Sequence, residues 1–162
     1  MVYVIMGVSG SGKTVIGTAL AAKLGLPFHD GDDFHPPANV AKMSAGIPLT
    51  DADREPWLRT LAGKIRDWNV AGGAVLACSA LKETYRQLLR DGGDVRFIFL
   101  DVPRQLLADR LRGRTGHFMP VTLLDSQLAT LEIPADAIRV SDTGTIDETV
   151  AQIVAAIEVS GR

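Results

Sequence analysis

One cysteine, Cys78, is all that the 162 residues contain. No disulfide can close within such a chain, and a reducing compartment suits it. An excess of either charge is also missing: 17 basic against 19 acidic residues leave a formal net charge of −2. That balance excludes a general attraction to nucleic acid or to an anionic membrane surface. No apolar run approaches the roughly 18 residues a membrane span needs. The start, MVYVIMG, has neither a basic n-region nor a cleavage site, so it is expected to be a buried strand rather than a signal peptide. No histidine, cysteine or acid falls at zinc-ligand spacing, and neither N-K-x-D nor a D-x-x-G strand end of a guanine-nucleotide switch occurs. What is left is a soluble, cytoplasmic, globular chain. Its length and the lack of any low-complexity linker point to one domain over residues 1–162.

Alternation of strand and helix patterns fills that domain. Val2 to Met6 (VYVIM) is a short apolar run ended by glycine, as in a central parallel strand. Further strands are expected at Pro27 to Asp30, Ala74 to Cys78, Val95 to Leu100 and Ile138 to Ser141. Helices are expected at Val15 to Leu24, after Pro36 and Pro37, from Thr50 onward, and near 82–91, 103–112, 122–131 and 146–159. Thr50 with Asp51 and Asp53 makes a helix start, and Pro56 is tolerable only in a first turn. Thr145 with Glu148 forms a capping box for the last helix. Parallel strands joined by helical crossovers imply an α/β fold: a five-stranded parallel sheet flanked by helices in three layers.

Chemistry enters at Gly7 to Thr14, GVSGSGKT, between the first strand and the first helix. It matches G-x-x-x-x-G-K-[ST], the phosphate-binding loop. Gly7, Gly10 and Gly12 let the backbone N–H groups of the loop, with Val8, Ser9 and Ser11 between them, curl round phosphate oxygens. The helix behind adds its positive end. Lys13 is expected on the β- and γ-phosphates and the Thr14 hydroxyl on Mg²⁺, so the chain is expected to bind a nucleoside triphosphate with magnesium.

Two further clusters narrow the reaction. PFHDGDDFHP puts Asp30, Asp32 and Asp33 at the carboxyl end of a strand, where open α/β sheets bind ligands. Crowded carboxylates repel, and a site that takes up a metal ion and a proton accounts for them better than a solvated loop. In RQLLADRLRGRTGHF, Arg104, Arg110, Arg112 and Arg114 gather in an otherwise acidic chain. Arg110 and Arg114 are expected to close over the nucleotide with a mobile lid, residues 112–124; a solvated helix surface is the plainer reading.

GVSGSGKT, DGDDFHP, NVAKMSAGIPLTDADREPWL, CSALKETYRQLLR and the stretch from GRTGHFMP to TLEIP together resemble gluconokinases, small P-loop kinases of the shikimate-kinase-like group. The likeness runs from Tyr3 to Pro134, and LxDxDRxPWL and CSALKxxYRxxLR are its most specific parts. It implies a doubly wound P-loop kinase fold, ATP with Mg²⁺, transfer to the 6-hydroxyl of D-gluconate, and a homodimer. It also implies that Asp30 lies towards magnesium and Asp32 towards the acceptor hydroxyl, with Asp32 the first choice as base and Asp30 its competitor. For the gluconate carboxylate the resemblance offers Arg54 and Lys82, with Arg86 either joining them or bridging inside the fold. Ser79 either meets a sugar hydroxyl or caps the next helix, and His35 and His117 either meet the polyol or simply sit in turns. Asp101, ending FIFLD, is read as structural. A kinase of shikimate or of a nucleoside monophosphate is the alternative.

Overall fold

The computed structural model describes residues 1–112, 121–141 and 144–160. Its strands are β1 (Val2–Met6), β2 (Phe28–Asp30), β3 (Ala74–Ala77), β4 (Val95–Asp101) and β5 (Ile138–Ser141). All pair in parallel, in the order β2-β3-β1-β4-β5. The helices are α1 (Lys13–Leu24), α2 (Pro37–Ser44), α3 (Asp51–Val70), α4 (Glu83–Arg90), α5 (Arg104–Arg112), α6 (Val121–Thr130) and α7 (Ile146–Ser160). Every expected strand and helix is present, with ends shifted by no more than two residues. The centre of the expected lid, with Arg114 and His117, lies outside the described residues.

The three layers follow from the period-two alternation of β1. Val2, Val4 and Met6 face one way, into a core completed by Trp57, Leu58, Leu61 and Ile65 of α3 and by Leu89, Leu107 and Leu124. Ile5 faces the other way, against Ile16 and Leu20 of α1 and Val150 and Ile153 of α7. Fully burying each such side chain contributes about 1.5–3 kcal/mol, so the sheet sandwiched between two helical layers is the stable arrangement. The chain leaves β1 towards β2 on one side and later returns past it to β4 on the other. This reversal opens a crevice at the carboxyl ends of the central strands.

Local signals set the helix ends. Thr50 Oγ1 accepts from Asp53 N–H at 3.1 Å while Asp53 Oδ2 accepts from Thr50 N–H at 2.9 Å, closing a capping box on α3. Thr145 Oγ1 accepts from Glu148 N–H at 3.1 Å and starts α7. Pro56 corrects one expectation. It is the sixth residue of α3, past the first turn. Its ring cannot donate to the Ala52 carbonyl, and the buried Trp57, Leu58 and Leu61 that follow hold the helix through that missing bond. A second feature absent from the sequence reading is a 3₁₀ turn, Gly31–Phe34, directly after β2.

Candidate active site

The phosphate loop is built to receive an anion. α1 begins at Lys13 rather than Val15, because Gly12 turns the chain at φ +94° as its N-cap. No side chain caps that end and no acid lies in its first turn, so its N–H groups face the crevice. Lys13 Nζ donates to the carbonyls of Gly7 and Val8, each at 3.0 Å, which lays the ammonium along the loop. Ser11 Oγ is buried without a hydrogen-bond partner among the described residues. An orphaned hydroxyl, open helix N–H groups and a lysine in one cradle fit a polyphosphate.

The acids separate into two roles by position. Asp30 Oδ2 accepts from the Thr14 hydroxyl at 3.2 Å, and its Oδ1 accepts from Asp32 N–H at 3.0 Å. This carboxylate therefore faces the loop and caps the 3₁₀ turn. Two hard oxygen donors side by side, Asp30 and Thr14, fit Mg²⁺, which binds through one or two protein oxygens and completes its shell with phosphate and water. The Asp32 carboxylate is half exposed and lies 3.7 Å from His35 Nε2. Gly31 between them has no room for a side chain: a Cβ there would come within 2.7 Å of the Ala77 carbonyl. That close approach lets Trp57 Nε1 donate to the Gly31 carbonyl at 2.8 Å.

Two adjoining hollows meet at this turn. The first is lined by the loop, Thr14, Asp30 and Asp32. The second opens beside it, with His35, Trp57, Arg54 and Ser79 as its polar and aromatic wall. Met43, Ile47, Pro48, Leu49 and Leu123 form its apolar flank. Ser9, Lys13 and Asp32 line both. Asp30 lines only the first, and Lys82 and Arg86 line neither.

Within the second hollow, Arg54 Nη1 donates to the Leu49 carbonyl at 2.7 Å and to the Tyr85 hydroxyl at 3.0 Å. Its other guanidinium nitrogens make no hydrogen bond among the described residues, which fits them to a carboxylate. Lys82 is drawn instead to Asp51, at 3.1 Å, beside the Tyr85–Asp51 hydrogen bond. The Lys82 ammonium and the Tyr85 hydroxyl both stabilise the ionised Asp51 carboxyl, the hydroxyl most, and hold it below the usual range. Ser79 does not cap α4; Lys82 occupies the N-cap, and the first N–H, that of Glu83, goes to Glu132 Oε1 at 2.8 Å.

Arg86 takes the second of its two expected places, bridging inside the fold. It is 1% exposed and donates to Glu83 Oε2 at 2.8 Å, the Ala80 carbonyl at 2.7 Å and the Glu132 carbonyl at 3.0 Å. A buried guanidinium spent on three acceptors has nothing to offer substrate. Its work is to hold the turn that presents Ser79, where Ala80 sits at φ +45°. A left-handed alanine costs roughly 1–2 kcal/mol, so the turn needs such a tie. Arg86→Met is expected to lower stability by about 1–3 kcal/mol in urea unfolding, because the buried Ala80 carbonyl loses its donor. A loss of less than about 0.5 kcal/mol, the scale of an ordinary surface change, would contradict this role.

The described arginines of α5 divide. Arg104 binds Asp125 of α6 through two bonds of 2.8 and 3.0 Å, and Arg112 lies 3.7 Å from Asp109. Only Arg110 of these three is shown reaching the loop, donating to the Gly10 carbonyl at 3.0 Å. The plainer reading of the arginine run therefore holds for Arg104 and Arg112. Asp101 accepts from Arg139 at 2.7 and 3.0 Å, an ion pair between neighbouring strands. Burial pushes the Cys78 thiol up to about 12, which makes it inert.

Sequence reasoning missed Asn39 and Gln127. Gln127 Oε1 accepts from Ser9 N–H at 2.7 Å, joining α6 to the loop. Nothing near Gln127 in the sequence marks it, since the contact spans 118 residues. Trp57 was legible only as a core residue of α3; its indole is also the platform under His35.

Known proteins place this site in a family. The family model described as shikimate kinase matches residues 9–157. A gluconokinase of Gluconobacter oxydans is 53% identical over 156 residues, 93% of this chain and 88% of that protein. The thermosensitive gluconokinase of Escherichia coli is 45% identical over 166 residues, 96% of this chain and 88% of its own. The crystal structure of a gluconokinase from Sinorhizobium meliloti superposes with a TM-score of 0.87 at 44% identity, covering 97% of this chain and 91% of that one. The chain belongs to the gluconokinase family, within the wider shikimate-kinase-like group of P-loop kinases.

Proposed function

We propose that this chain transfers the γ-phosphoryl group of ATP to the 6-hydroxyl of D-gluconate, as one kinase domain over residues 1–162 with residues 112–124 as its lid. The observation that carries the reading is the place of Asp32 and Lys13, on the seam between the phosphate cradle and the second hollow. Phosphoryl transfer needs its base and its phosphate ligand at such a seam. ATP with Mg²⁺, when bound, supplies the phosphoryl group and neutralises charge on it. The N–H groups of α1 and Lys13 bind and orient the phosphates, and Thr14 and Asp30 hold the metal. Asp32 takes the proton of the acceptor hydroxyl. Arg54 pairs with the gluconate carboxylate, Ser79 meets a hydroxyl, and Arg110 adds positive charge beside Gly10. Lys82, tied to Asp51, shapes the rim. A homodimer in the cytoplasm completes the proposal, on the resemblance.

An acidic polyol suits the second hollow because it pairs one arginine with several hydroxyl-bonding side chains. A nucleoside monophosphate would present a dianion and a base, and shikimate a rigid ring. The test is product formation by the purified protein with ATP across gluconate, shikimate and nucleoside monophosphates. Gluconate is expected to give kcat/KM at least about 10³-fold above the others, the scale set by polar groups left unpaired with a wrong substrate. Equal or better turnover of shikimate would sink the reading.

A further inference from the structure

The hydrogen bonds behind His35 assign a proton that faces Asp32. Asn39, the third residue of α2 and 4% exposed, donates from Nδ2 to the Asp53 carbonyl at 2.9 Å. A carbonyl only accepts, so this contact fixes which end of the Asn39 amide is nitrogen. The same Nδ2 lies 3.2 Å from His35 Nδ1, and its second hydrogen is directed there. Nδ1 must then accept, and a neutral ring carries its proton on Nε2. That atom is the one 3.7 Å from Asp32 Oδ1. The ring cannot swing away, because it stacks on Trp57 with centroids 3.9 Å apart and planes 18° from parallel.

We propose that His35 is a positioning residue for Asp32: Asn39 fixes its Nε2–H tautomer, and the dipole of this N–H, facing the Asp32 carboxylate from 3.7 Å, draws it towards the acceptor hydroxyl. Burial, and then the charge of Arg54, push the His35 pKa down to about 4, so the ring is neutral in the working range. A neutral donor steadies the carboxylate without neutralising it, as an imidazolium would tend to do. Asp53, whose backbone anchors Asn39, is itself locked by the α3 capping box and by Lys42 at 2.8 Å. The relay therefore ends on rigid structure and not on a loop.

The inference rests on the gluconate kinase reading, and two measurements separate its failure from that one. Long-range ¹H–¹⁵N correlation on the wild-type chain reads the tautomer directly, whatever the substrate; with three histidines in the sequence the assignment is short. An Nε2–H pattern for His35 is expected, and an Nδ1–H pattern would overturn the proposal. In kinetics, His35→Gln places an amide donor near the Nε2 position, while His35→Asn places one only near Nδ1. The asparagine variant is expected to lose about 10- to 100-fold in kcat with KM for gluconate within about twofold, the usual scale for a group that orients a reacting one. The glutamine variant is expected to recover to within about threefold of wild type. Equal losses in the two variants, or a loss confined to KM, would overturn it; the latter would make His35 a polyol ligand.

Discussion

Lys13→Ala is expected to abolish phosphoryl transfer to gluconate, by at least about 10³-fold in kcat, the scale of losing one preorganised charge partner of a transferring group. The ammonium lies along the loop between the Gly7 and Val8 carbonyls, at the entrance to both hollows. Among the described residues nothing nearby replaces it. Arg110 donates to the Gly10 carbonyl at 3.0 Å. The substitution also removes a charged donor from two carbonyls, so stability falls by about 1–2 kcal/mol and the chain still folds. Lys13→Met, which keeps the aliphatic stem, separates the two effects: its unfolding midpoint should sit closer to wild type while its turnover stays lost. Turnover near wild type in either variant would remove the kinase reading altogether.

Much of this fold is written locally. Val2 to Met6 shows its two faces by simple alternation, and the helix starts at Thr50 and Thr145 carry their caps in the sequence. GVSGSGKT announces its use because phosphate binding is done by contiguous backbone, so its signal is contiguous too. What stayed hidden depends on contacts between distant residues. Arg86 stays open between a substrate ligand and an internal bridge until its guanidinium is seen buried on carbonyls of Ala80 and Glu132, the second 46 residues away. Lys82 and Arg54 are equal candidates in sequence; only the fold shows Lys82 bonded to Asp51 and Arg54 bonded to Tyr85. Pro56 shows the reverse error. A local rule places it in a first turn, and the burial of Trp57 and Leu58 beside it outweighs the rule.

The acids pose the sharpest question, because Asp30 and Asp32 are chemically alike and differ only in where the 3₁₀ turn points them. Asp32→Asn is expected to lower kcat by about 10²–10⁴-fold, the contribution of a positioned base, with KM for gluconate little changed. The carboxamide keeps the shape of the side chain and cannot take a proton. The turn does not depend on that side chain: Asp30 Oδ1 holds Asp32 through its backbone N–H, and Trp57 holds Gly31. Folding should therefore be untouched. Asp30→Asn should behave differently. It weakens the oxygen pair formed with Thr14, so its loss should shrink as Mg²⁺ is raised, whereas added Mg²⁺ cannot restore a missing base. Steady-state kinetics of both variants over a magnesium titration distinguishes the roles. A magnesium-rescued Asp32→Asn would exchange the two assignments. A loss confined to KM in Asp32→Asn would mean that Asp32 only holds the polyol, leaving the hydroxyl proton to pass to an oxygen of the transferring phosphoryl group.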